Sequence, residues 1–167
     1  MKLSLKNFLA VDPYERLASS GEVEINHPSC TVIYGPSSSG KSIMLNYINN
    51  SLSKDLIYSG TMVDSFKSKF YQTLNNSEKT FPETQYQLYS FDEPERYHHV
   101  EEFSSFVKKM KLLDSSVILV THDIQFIEEC ADQIVVLKYG DHVGTFSKSS
   151  FFESEDPFIK KISTLGC

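Results

Sequence analysis

Eight consecutive residues carry the clearest chemistry in the chain: Gly35-Pro36-Ser37-Ser38-Ser39-Gly40-Lys41-Ser42. They read G-x-x-x-x-G-K-S, the spacing of a phosphate-binding P-loop. The two glycines let the backbone wrap close to phosphate oxygens without a Cβ in the way. The bared N–H groups of the loop and the N-terminus of the helix that follows then face the anion. Lys41 is expected to reach the β- and γ-phosphates, and the Ser42 hydroxyl to ligate Mg²⁺. Two further stretches fit the same chemistry. Leu88-Tyr89-Ser90-Phe91-Asp92-Glu93-Pro94 places two carboxylates at the tip of an apolar run. Asp92 suits the Mg²⁺ sphere, and Glu93 suits a general base that polarises an attacking water. Val120-Thr121-His122-Asp123 ends another such run, where an imidazole can hydrogen-bond a terminal phosphate and that water. An acidic pair after a strand is commonly a solvated turn, and a lone histidine commonly structural. The P-loop upstream is what gives both their weight.

These side chains need a scaffold, and the hydrophobic pattern describes one. Residues Lys2 to Leu9 alternate as a half-buried strand does, as do Glu22 to Asn26, with a polar, turn-rich stretch from Val11 to Gly21 between them. His27-Pro28-Ser29 breaks the second run. Cys30-Thr31-Val32-Ile33-Tyr34 is a β-branched strand that enters the P-loop, and helical spacing follows to about Leu52. Asp55 to Val63 reads as a short hairpin around Gly60. Phe66 to Leu74 is compatible with helix or irregular chain, and Asn75 to Glu83 with a loop. Tyr86 to Phe91 and Val117 to Val120 read as buried strands, as does Ile134 to Leu137. His99 to Leu113 and Ile124 to Cys130 are amphipathic helices. A terminal strand over Asp141 to Phe146 and a short helix over Pro157 to Leu165 complete the chain. Strand–helix alternation implies an α/β P-loop NTPase fold: a mostly parallel sheet flanked by helices, with a small antiparallel N-terminal β part. Ligands then gather at the carboxyl ends of the strands. The P-loop, Asp92 and His122 all fall at such ends.

Composition narrows the partners. A chain of 167 residues, 40% hydrophobic and 23% charged, is expected to form one domain, residues 1–167, with a sizeable core. Its net charge of −6 argues against bulk, sequence-independent nucleic-acid binding. Cys30, Cys130 and Cys167 show no C-x-x-C spacing, which fits a reduced, cytoplasmic setting. No secretory leader is visible at the start. No run approaches the ~20 apolar residues needed to span a bilayer, so work at a membrane would require another chain to do the spanning.

A P-loop, then D-E-P after a strand, then T-H-D after the next, then Ala131-Asp132-Gln133-Ile134-Val135-Val136-Leu137 resembles the nucleotide-binding domain of ABC-type ATPases. The resemblance covers nearly the whole chain, with Leu5-Lys6-Asn7 and Gly21-Glu22-Val23 where that family has its first strands. It implies ATP bound with Mg²⁺, Glu93 as the catalytic carboxylate and His122 as the switch histidine. It also implies an adenine-stacking aromatic upstream of the P-loop, for which Tyr14 is the nearest candidate and Phe8 the next. Gln72 stands where the family has a glutamine that senses Mg²⁺ and water. The partner implied is a second ATPase subunit or another protein, membrane proteins included, with the chain peripheral to the inner face of that membrane.

The chain also departs from the family. Only about fifty residues separate Lys41 from Asp92, where relatives carry a helical subdomain and the signature L-S-G-G-Q. Leu74-Asn75-Asn76-Ser77-Glu78 is the one faint echo, and it lacks the glycines. Glu95 and His99 fit a D-E-P-E-x-x-L-H-P pattern of non-transport relatives, whereas His98 and Val100 break it. A metal pair at His98 and His99 would need a third ligand nearby. The expectation is an ATPase whose hydrolysis drives or signals a conformational change in a partner. The alternatives are an ATP-dependent switch that hardly hydrolyses and a small-molecule P-loop kinase. Against the kinase, T-H-D has no role there, and Arg16 and Arg96 are the chain's two arginines, too few for an arginine-rich lid.

Overall fold

The computed structural model describes residues 1–72 and 81–166, with the backbone alone at residues 71 and 72. Long alternating runs at the N-terminus form β1 (Lys2–Val11) and β2 (Leu17–Asn26). A five-residue apolar run makes β3 (Cys30–Tyr34), which leads through the glycine-bounded loop into α1 (Lys41–Ile48). Two strands follow, β4 (Ile57–Asp64) and β5 (Lys69–Gln72). Then come β6 (Leu88–Asp92), a single 3-10 turn over Pro94–Arg96, α2 (Val100–Leu112), β7 (Ser116–Thr121) and α3 (Ile124–Cys130). The chain closes with β8 (Gln133–Lys138), β9 (Asp141–Ser147), α4 (Lys148–Phe152) and α5 (Pro157–Leu165).

Two sheets result. One is antiparallel, in the order β2-β1-β4; the other has six strands in the order β5-β6-β7-β3-β8-β9. All neighbours in the larger sheet are parallel except β8 and β9. β3 therefore lies inside the sheet, between β7 and β8, with both faces covered. Alternation sorts its side chains into two cores. Val32 and Tyr34 join Tyr89, Phe91, Leu119 and Val136 under α2, α3, α4 and α5, where Phe103, Phe126 and Phe151 are buried. Ile33 joins Leu88, Ile118, Val120 and Val135 on the other face, against Met44 and Leu45 of α1 and Leu3, Leu5 and Phe8 of β1. Burial of each such side chain contributes about 1.5–3 kcal/mol. That packing fixes the strand ends from which the loops spring.

The fold class read from the pattern is the one observed, but several local expectations fail. β2 begins at Leu17 rather than after Gly21, because Leu17 and Ser19 pair with Val11 and Ala10 and the turn is confined to the residues just before. Asp12 closes that turn by accepting the N–H groups of Tyr14 and Arg16. Asp55 to Val63 is not a hairpin: it forms one strand that pairs with β1, and Gly60 sits where the register shifts opposite Lys6 to Leu9. α1 stops at Ile48, short of Leu52; Asn49 caps it and Asn50 turns into the left-handed region. Within the ambiguous stretch from Phe66 to Leu74, Lys69–Gln72 forms β5, and Thr73 and Leu74 lie outside the described residues. The unforeseen helix α4 is capped by Ser147, whose side chain accepts the Ser150 N–H.

Candidate active site

The loop after β3 is held by contacts that only its sequence permits. A Cβ on Gly35 would stand 2.0 Å from the Leu137 carbonyl oxygen, and one on Gly40 2.4 Å from that of Ala18. Gly40 also has φ of 89°, so glycine is required there on two counts. Lys41 is buried, and its ammonium folds back to donate to the carbonyls of Gly35 (2.9 Å) and Pro36 (2.7 Å). Gly35 and Pro36 thus shape the loop from behind. Ser37, Ser38, Ser39, Gly40, Lys41 and Ser42 line a cavity of about 690 Å³, which Glu93 and His122 also line.

Strand order brings these distant residues together. β6 lies next to β7 with Asp92 opposite Val120, so Asp92, Glu93 and His122 emerge side by side. The Ser42 hydroxyl donates to Asp92 Oδ1 at 3.1 Å. Burial raises the Asp92 pKa above the usual carboxylate value; the Ser42 hydrogen bond opposes that and neighbouring Glu93 adds to it. Glu93 holds a left-handed backbone, φ 50° and ψ 59°, which few non-glycine residues adopt. Its N–H donates to the Val120 carbonyl at 2.8 Å. One carboxylate oxygen is 3.1 Å from His122 Nε2, and the other accepts from Arg96 Nε. A carboxylate and a hydroxyl converging as Asp92 and Ser42 do are hard oxygen donors, the chemistry that suits Mg²⁺. Among the described residues no group of three His, Cys, Asp or Glu side chains could hold a metal alone.

Three contacts around the site were not anticipated. Glu95 accepts the His122 N–H at 2.9 Å, and burial raises the pKa of its carboxyl. Arg96 engages Glu93. Leu17, Ala18, Ile43 and Tyr139 complete the cavity wall. An aromatic before a glycine between two strands, Tyr139-Gly140, was the available signal for the last of these. Asp123 of the T-H-D stretch caps α3 by accepting the Gln125 N–H at 2.8 Å, a structural task.

Other expected residues fall elsewhere. Phe8 is buried against Tyr47, with ring centroids 4.8 Å apart, which leaves no face for a base and removes it as a candidate. Tyr14 is 80% exposed on the β1–β2 turn, 5.4 Å from the Arg16 guanidinium, and is not among the residues that line the cavity. Gln72 ends β5 in register with Phe91, one residue before Asp92; its side chain lies outside the described residues, as does Leu74 to Glu78. His98 is buried and stacked on Phe81 at 4.4 Å, while His99 is exposed at the N-cap position of α2, so the two do not form a metal pair.

No protein-family model matches the chain. Over 65 residues it is 34% identical to a protein of Bacillus cereus (strain ATCC 10987 / NRS 248) named as an ABC transporter ATP-binding protein; the match covers 37% of this chain and 12% of that protein. Over 71 residues it is 34% identical to PH0132 of Pyrococcus horikoshii, named likewise, covering 38% of this chain and 27% of that one. The chain thus spans well under a third of the length of either relative. Among solved structures, it superposes on MJ1267, an ATP-binding cassette of an ABC transporter, with a TM-score of 0.72 and 13% identity over 97% of this chain and 94% of that one. The ADP conformation of MJ1267 gives 0.67 with 14% identity, over 98% and 95%. A nucleotide-free cassette from an ABC transporter gives 0.72 with 13% identity, over 96% and 98%.

Proposed function

We propose that this chain, which has the fold of the ABC ATP-binding cassettes, is a single ATP-binding domain over residues 1–167 that binds Mg·ATP and hydrolyses it. The observation that carries this reading is one cavity lined by the P-loop, Glu93 and His122, with the Ser42–Asp92 pair at its edge. Residues Ser37 to Ser42 would cradle the phosphates with backbone N–H groups, and Lys41 would exchange its loop carbonyls for phosphate oxygens. Ser42 and Asp92 would hold Mg²⁺, which when bound neutralises phosphate charge. Glu93 would accept the proton of the attacking water, and His122 would orient that water and the terminal phosphate. The strained backbone of Glu93 is the kind of outlier that functional sites retain.

Hydrolysis would drive or signal a conformational change in a partner, which is a second ATPase subunit or a membrane protein at whose cytoplasmic face the chain sits. No helix among the described residues is long and apolar enough to cross a membrane. A switch that binds ATP but turns it over slowly alone is the second reading. It is favoured because no L-S-G-G-Q occurs in the chain and both Glu93 oxygens are already engaged. The kinase reading has no such support. Calorimetric titration with Mg·ATP tests the proposal: Lys41→Ala, still folded by circular dichroism, should bind at least about tenfold more weakly, a loss of about 1.4 kcal/mol or more. Equal affinities would place the phosphates elsewhere and overturn it.

A further inference from the structure

The residues around the P-loop cavity divide by chemistry. Ser37, Ser38, Ser39, Lys41, Ser42, Glu93 and His122 are polar or charged; Leu17, Ala18, Ile43 and Tyr139 are apolar or aromatic. A nucleotide has the same division, an anionic chain and a flat, weakly polar base. Among the described residues, Tyr139 is the one Phe or Tyr of the lining.

Its placement is unusual. Lys138 pairs with Asp141, so Tyr139-Gly140 forms a two-residue turn between β8 and β9, with φ of 52° and 88°. Turns with both central residues at positive φ favour Asn-Gly, and a bulky side chain at the first position is strained. The strained residue nevertheless presents a ring that is 75% exposed and borders the cavity. The turn is fixed against β2. Gly140 accepts from the Ser20 N–H at 2.6 Å and from the Ser20 hydroxyl at 3.0 Å. A Cβ on Gly140 would come within 3.0 Å of Leu17 Cγ, so Leu17 and the turn are in close contact. Leu17, Ala18 and Tyr139 therefore make one apolar wall beside the loop.

We propose that Tyr139, rather than Tyr14, is the aromatic on which the base of the bound nucleotide stacks, with Leu17 and Ala18 completing its seat. This rests on the reading of the cavity as a nucleotide site. The role determines affinity and base recognition and leaves phosphate binding untouched.

The test compares Mg·ATP with inorganic tripolyphosphate in Mg²⁺ by calorimetry. Tyr139→Asn suits the turn better than tyrosine does, so it removes the ring without loosening the hairpin. It should melt no lower than wild type, bind Mg·ATP about tenfold more weakly and bind tripolyphosphate equally well. Tyr139→Phe should keep wild-type affinity for both, and Tyr14→Ala should leave both unchanged. The chain contains no tryptophan, so Tyr139→Trp supplies a single indole reporter, whose emission should change with Mg·ATP and not with tripolyphosphate. Unchanged ATP affinity in Tyr139→Asn, or equal weakening toward both ligands, overturns the assignment while leaving the nucleotide site standing. Failure of wild type to bind either ligand overturns both.

Discussion

A histidine stands at each end of the central strands, and the two differ in access more than in partners. At the carboxyl end, His122 Nε2 lies 3.1 Å from Glu93 beside an open cavity. At the amino end, His27 Nδ1 lies 3.1 Å from Ser116 Oγ, and its Nε2 lies 3.3 Å from Asp114 Oδ2, though not aligned as a hydrogen bond. Ser, His and Asp in that order resemble a nucleophilic triad. The burial contradicts it: Ser116 is 0% exposed, the His27 side chain 5%, and Ser116 Oγ already accepts the Ser29 N–H. His27 also packs edge-on against Phe66. The amino-end cluster ties the start of β7 to the entry of β3, whereas Glu93 and His122 of the carboxyl-end cluster border an open cavity. Chemistry is distinguished here by the room beside the residues and not by their types.

Four substitutions would break or sharpen that contrast. The largest effect is expected at Glu93: Glu93→Gln should lower ATP hydrolysis at least about a hundredfold, the usual yield of a general base, with Mg·ATP affinity within about threefold of wild type. Steady-state phosphate release beside calorimetry would show it, and equal turnover would place the base elsewhere. Gly40→Ala comes next. Its Cβ meets the Ala18 carbonyl oxygen at φ of 89°, so both melting temperature and ATP affinity should fall, by about 2 kcal/mol or more in stability. At the opposite end, His27→Ala should cost stability alone, about 1–3 kcal/mol and so several degrees of melting temperature, with turnover per folded molecule unchanged. Altered kinetics there would mean that the two ends are coupled. The smallest effect concerns Asp92. With a folded-state pKa above its ordinary 3.8, it binds more protons in the native state than unfolded between those two values. Stability therefore falls as pH rises through that window. Asp92→Asn should flatten that slope and melt higher than wild type at neutral pH, while losing the Mg²⁺-dependent part of ATP affinity. Thermal melts across pH check the first part, and titrations with and without Mg²⁺ the second.

The legibility of the fold follows the same division between contiguous and distant information. β3, β6, β7 and β8 were readable because strands covered on both faces are near-continuous apolar runs, and α2 because Phe103, Phe106, Val107 and Met110 recur on one face. The P-loop, Asp92-Glu93 and His122 were readable because each is a short local pattern at a strand end. β4 was misread because a glycine between apolar residues marks a turn or a bulge equally well, and the choice depends on pairing with β1. Tyr139 and Leu17 were not linked to the cavity because they are more than a hundred residues apart and come together only in the fold, where Leu17 packs on Gly140 and Ser20 holds it. Glu95 and Arg96 lie two and three residues past Glu93, yet no pattern in the sequence says that Arg96 turns toward Glu93 and Glu95 toward the His122 backbone.

The position of β3 between β7 and β8 also sets an order of events during synthesis. The P-loop ends at Ser42, but the strands that flank β3 begin only at Ser116 and Gln133 and so leave the ribosome later. At about 5–20 residues per second, the loop waits roughly 5–20 seconds for its neighbours. Through that interval a nascent chain has the P-loop sequence without Glu93's or His122's setting and without a sheet to hold its ends. On the proposed reading, nucleotide would not rescue an early intermediate; it would stabilise only a chain in which β7 and β8 have closed on β3.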